Sequence, residues 1–90
     1  MVKGETKSGF KFEIDPNKVN DMDFLERLGD AGDDITKMPR IMTETLGKDQ
    51  RQKMYDHIRN DSGKVPIEAA MDIFNEILTI ANEARETKNS

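Results

Sequence analysis

The 90-residue sequence has no cysteine, one histidine, one tyrosine and three prolines. Without cysteine, disulfides, thiolate metal sites and thiol chemistry are excluded, a pattern that suits a reducing cytoplasm. A single histidine leaves few members for any nucleophile–base pair. The longest apolar runs, such as "AAM" at 69–71, are far too short to cross a bilayer. The opening "MVKGETKSG" lacks the apolar stretch of a signal peptide. There is no internal repeat, low-complexity segment or glycine-rich phosphate cradle. These absences predict one small, soluble, intracellular domain with no cofactor, no metal and no membrane partner, and an enzyme is not expected.

What is present is charge. Asp, Glu, Lys and Arg make up 36% of the residues, with a net charge of −4. The distribution says more than the total. Residues 13–34 hold eight acids against Lys18 and Arg27, whereas 37–64 hold seven bases against four acids. Phosphate backbones repel so acidic a chain unless a basic patch is well focused.

Phe10, Phe12 and Ile14 alternate with Lys11 and Glu13, the period of a half-buried strand. Together with the preceding residues they predict a hairpin over 1–14. A loop at Lys7, Ser8 and Gly9, with Gly9 at positive φ, sets Val2 opposite Ile14, Gly4 opposite Phe12 and Thr6 opposite Phe10. The other face then pairs Glu5 with Lys11 and Lys3 with Glu13. So small a hairpin must lay its Phe face on a helix.

Asp15-Pro16 is a helix-start signal. The first helix, with a restart near Asn20 or Asp21, is expected to bury Val19, Met22, Phe24, Leu25 and Leu28 and to end at "GDAGDD". A second segment, 35–46, spaces Ile35, Met38, Ile41, Met42 and Leu46 for a helix that Pro39 confines to starting near Lys37. Gly47 is its stop. A third helix carries Met54, Tyr55 and Ile58. Pro66 opens the longest helix, expected to reach about Arg85 and leave 86–90 as a flexible tail. The expected fold is mainly α: a four-helix small domain, with a helical body over 16–85 and an N-terminal β-hairpin.

In the last helix, Ile67, Ala70, Met71, Phe74, Ile77, Leu78 and Ala81 form one stripe, centred on Phe74. Ala69, Ile73, Ile80 and Ala84 form a second beside it. Together they span roughly 200°, about twice what seats a helix on one core. Either neighbours flank this helix on both sides, or the Ile73–Ile80 stripe accepts another protein. Five internal methionines add adaptable apolar surface or core filler.

The stretch "DSGKVPIEA" has the look of half a calcium hand. With Gly63 at the sixth position, however, the first is Ile58 and the twelfth Ala69, leaving only Asn60 and Ser62 as weak donors. The calcium reading fails, and Gly63 reads as a turn. Asp30, Asp33 and Asp34 read as a solvated cluster that caps the next helix. His57 sits at a polar boundary. "PRIMTETLGKDQRQKMYDHIRN" could form a helix-turn-helix in which Lys48, Arg51, Lys53, Arg59 and Lys64 face DNA. Asp49 and Asp56 interrupt that patch, so nucleic acid is the weaker alternative.

The order "SGFKFEID", "DFLERL", "MPRIMTETLG" and "RQKMYDHIRNDSGKVPIEA" resembles the small tail assembly chaperones of long-tailed (siphovirus-type) bacteriophages and prophages. Ser62-Gly63-Lys64-Val65-Pro66 stands where that family has Asp-Gly-Arg-Val-Pro. The resemblance implies a protein without catalytic groups that binds the tape measure protein in the bacterial host cytoplasm and helps tail tube subunits assemble around it. It also implies absence from the mature virion. Tail tube protein is a second implied partner, and self-association is open. The wide apolar arc nominates Ile73, Ile77 and Ile80 as client-facing, with Met42 and Tyr55 nearby. Many such genes produce a longer product by a ribosomal frameshift, and Thr87-Lys88-Asn89 can be encoded by a slippery adenine run.

Overall fold

The computed structural model describes residues 1–89, with side chains through Ala84. Strands β1 (Val2–Glu5) and β2 (Lys11–Ile14) form the antiparallel hairpin in the expected register: Val2 faces Ile14, Lys3 Glu13, Gly4 Phe12 and Glu5 Lys11. Gly9, at φ +90°, lets the chain turn, and its N–H donates to the Thr6 carbonyl at 3.0 Å. Phe10, Phe12 and Ile14 are buried on the inner face.

Pro16–Val19 (α1) is capped by Asp15, whose carboxylate accepts from the Asn17 N–H at 3.0 Å. The chain restarts at Asp21, which caps Met22–Asp33 (α2) by accepting from the Asp23 N–H. The expected first helix is thus two, giving five α-helices among the described residues. Helix α2 does end within "GDAGDD", at Asp33 with Asp34 as its C-cap, but only after passing through both glycines. Gly29, Gly32 and Asp33 stay helical because Ala31, fully buried, packs into the core. Two glycines cost a helix about 1 kcal/mol each, and tertiary packing overrides that. Phe24, Leu28 and Ala31 form the inward stripe, so Met22 and Leu25 point outward, 68% and 54% exposed, against expectation.

Asp34 then caps a 3-10 turn (Ile35–Lys37) by accepting from the Thr36 N–H and hydroxyl at 3.1 and 2.6 Å. Those bonds lower the Asp34 carboxyl pKa. Helix α3 (Met38–Leu46) begins with Pro39 in its first turn, where a missing N–H costs nothing. Gly47 joins it to α4 (Lys48–Ile58) at φ +81° and ψ 160°, a backbone region open essentially to glycine alone. The following loop is closed by Asn60, whose side-chain oxygen accepts from the N–H groups of Ser62 and Lys64. Gly63, at φ +78°, makes the turn.

Helix α5 (Ile67–Asn89) is the longest element. The sequence after Arg85 contains neither glycine nor proline, and the helix continues to Asn89, past the expected end near Arg85; Ser90 of the expected 86–90 tail lies outside the described residues. The 23 residues make a rod roughly 34 Å long. Phe74, Ile77 and Ala81 are completely or almost completely buried, and the hairpin, α1 and α4 pack on this helix. Gly4 shows how closely: a Cβ there would lie 2.6 Å from Phe12 Cζ and 2.9 Å from Ile80 Cγ2.

Candidate functional site

The five nominated client-facing residues separate into two places. Ile73 and Ile77 are buried, and Ile80 is half-buried beneath Gly4 of β1. The second stripe of α5 is therefore the seat of the hairpin, not a free surface. An apolar arc computed from one helix shows how much must be covered. It cannot say that the chain's own N-terminus does the covering.

Met42, at 2% exposed as much a core residue as Ile73, and the half-buried Tyr55 lie elsewhere, and together. They line an open groove of about 470 Å³ between α3, α4 and the start of α5, with the 3-10 turn at one end. Ile35, Met38, Val65, Ile67 and Met71 complete its apolar wall. The geometry follows from the caps. Asp34 and Pro39 fix where α3 begins, which sets Met38 and Met42 one turn apart on the groove side. The Asn60 loop returns the chain so that Val65 and Ile67 face them. Tyr55 supplies both an aromatic wall and a hydroxyl, which donates to Met42 Sδ at 3.7 Å.

Ile35 and Ile67 form the rim, 49% and 65% exposed. Exposed isoleucines at both ends of an apolar trough are surface that water covers poorly. The charge nearby is neutralised. Arg59 donates to Asp56 at 2.8 Å and to the Gly63 carbonyl at 3.0 Å, while Gln52 donates to Asp56. The Arg59 and Gln52 bonds lower the Asp56 carboxyl pKa. Such a trough, with three methionines and one tyrosine, can take an apolar side-chain row from a partner helix. Ile35 and Ile67 escaped sequence reasoning because each belongs by spacing to its helix's buried stripe. Only their position at a helix start, beyond the end of the core, exposes them.

Of the five basic residues that could face DNA, Lys48, Lys53 and Lys64 are exposed, whereas Arg51 and Arg59 are engaged by neighbours. Arg51 is turned inward: Nη1 donates to Thr43 Oγ1 at 2.9 Å, and the guanidinium lies 5.6 Å from the Tyr55 ring centre. Arg59 is held as described. His57 Nε2 is 2.9 Å from Ser8 Oγ, and its ring packs 5.5 Å from Phe10, which ties α4 to the hairpin loop. Among the described residues, no group of three or more His, Asp or Glu could hold a metal ion. No described helix is long and apolar enough to cross a membrane.

Compared with known proteins, the chain matches no protein-family model, no curated protein and no solved structure.

Proposed function

We propose that this protein is a non-enzymatic tail assembly chaperone that holds the tape measure protein through the α3–α4–α5 groove and promotes tail tube assembly. The observation that carries the reading is the open trough walled by Met38, Met42, Tyr55 and Met71 and rimmed by Ile35 and Ile67. A long helical client with an exposed apolar stripe offers the complementary surface. Thioether side chains repack around successive segments of such a stripe, which suits a client released again to tube protein. Action in the host cytoplasm and absence from the virion belong to the same proposal, as does a longer frameshifted product. The inward-turned Arg51 argues against the DNA-binding alternative, because a guanidinium engaged with Thr43 and Tyr55 is not free for phosphate.

The test is co-expression with the large tail gene expected immediately downstream. The chaperone reading requires that its product become soluble and co-purify with this chain, with little dependence on salt. An insoluble product without co-purification contradicts it. Strongly salt-dependent binding to mixed-sequence DNA would favour the alternative.

A further inference from the structure

The hairpin has two outer edges, and the chain treats them differently. At the β2 edge, Gln50 acts as a substitute strand. Its Oε1 accepts from the Glu13 N–H at 2.8 Å, and its Nε2 donates to the Glu13 carbonyl at 2.7 Å. This pairing also fixes the phase of the ladder. If Glu13 directs both backbone groups outward, its partner Lys3 does so too, and Glu5, two residues on, follows. Lys3 and Glu5 are exposed, and no hydrogen bond reaches their outward backbone groups from another described residue. An open strand edge invites another strand.

We propose that two copies of this chain pair through β1, antiparallel and two-fold symmetric about Gly4. The register is dictated by the phase of the β1–β2 ladder. Centring on Gly4 brings Lys3 opposite Glu5 of the second copy, and those are the residues whose N–H and C=O groups face out. Each such pair exchanges both backbone bonds. The two Gly4 residues form the closer, non-hydrogen-bonded pair, at a separation of about 4.5 Å that glycine accommodates readily.

The side chains agree with the backbone. Across the resulting four-stranded sheet, one row of the outer face reads Lys11, Glu5, then Lys3 and Glu13 of the second copy. The symmetry-related row reads Glu13, Lys3, then Glu5 and Lys11 of the second copy. Charge alternates at every step, and opposite charges directly across strands are favourable. Underneath, Ile80 lies below Gly4 and is only half-buried, so the second copy covers it at the axis. The pairing is independent of the client groove.

A charge exchange tests it without disturbing the hairpin. The double variant Lys3→Glu/Glu13→Lys keeps an opposite pair within each chain but sets glutamates against each other across the axis. Glu5→Lys/Lys11→Glu does the same with lysines. Mixed together, the two variants restore opposite charges at both interface pairs. The measurement is sedimentation equilibrium, with amide hydrogen exchange at Lys3 and Glu5. The wild-type chain is expected to dimerise with a Kd on the order of 100 µM, as befits a small interface. Each variant alone should dimerise about ten-fold more weakly, and the mixture should recover wild-type association. Concentration-dependent protection of the Lys3 and Glu5 amides should accompany the dimer. A wild-type monomer at about 1 mM, a mixture that stays dissociated, or a dimer with those amides unprotected would overturn the proposal.

Discussion

Replacing Ile67 by aspartate separates the groove from the fold. Ile67 is the first residue of α5 and is 65% exposed, so its side chain contributes little to the core. A surface substitution of this kind changes stability by within about 0.5 kcal/mol. At a helix start the new carboxylate also meets the positive end of the helix dipole, worth about 0.3–1 kcal/mol in its favour. The variant should therefore unfold in urea at or slightly above the wild-type midpoint. Client binding should respond in the opposite direction. Covering an isoleucine fully is worth about 1.5–3 kcal/mol, and roughly two-thirds of that remains to be gained at this rim. Losing about 1–2 kcal/mol, and desolvating a carboxylate besides, weakens binding by at least about ten-fold. Isothermal titration calorimetry with a soluble helical segment of the client reads the change directly. Unaltered affinity in a folded variant would refute the groove, and an unfolded variant would refute the placement of Ile67 at its rim.

Other consequences follow from the same geometry. Ile73→Asp, on the buried stripe under the hairpin, should abolish cooperative unfolding in circular dichroism, since it leaves an unpaired charge in the core. Gly47→Ala should lower stability by about 1–3 kcal/mol in urea titration, because an alanine is forced into glycine-only backbone. The Asp34 carboxyl should titrate below its ordinary value of 3.8 in NMR. Its lowered folded pKa gives a cap contribution fully present above 3.8 that disappears as pH falls through the folded value, and Thr36→Val should move the titration back up.

The hairpin was legible to the residue. Strict alternation at Phe10, Phe12 and Ile14, with a glycine where the turn needs positive φ, leaves one register that also matches charge. The cap at Asp15 was legible for a similar reason, since a carboxylate before a helix has a local partner; the restart was narrowed to Asn20 or Asp21 and the next cap to the cluster Asp30, Asp33 and Asp34, and the structure selects Asp21 and Asp34. Longer-range packing was not. Gly29 and Gly32 signal a stop, and only the burial of Ala31 explains why α2 passes through them. Met22 and Leu25 have apolar side chains in a helix whose inward stripe is set by Phe24, Leu28 and Ala31, a choice made by neighbouring elements. Likewise the groove is shared among three helices and a turn, so no single segment's periodicity contains it. Met42 and Tyr55 were found through their apolar character, whereas Ile73, Ile77 and Ile80 were assigned outward because the covering hairpin is distant in sequence.

The most direct measurement is a methyl NMR titration of the isoleucine- and methionine-labelled chain with a helical segment of the tape measure protein. The Ile35, Met38, Met42, Ile67 and Met71 methyls should shift together and saturably, while the buried Ile77 methyl stays in place. Shifts confined to the hairpin side of α5, or none at all, would contradict a groove-bound client.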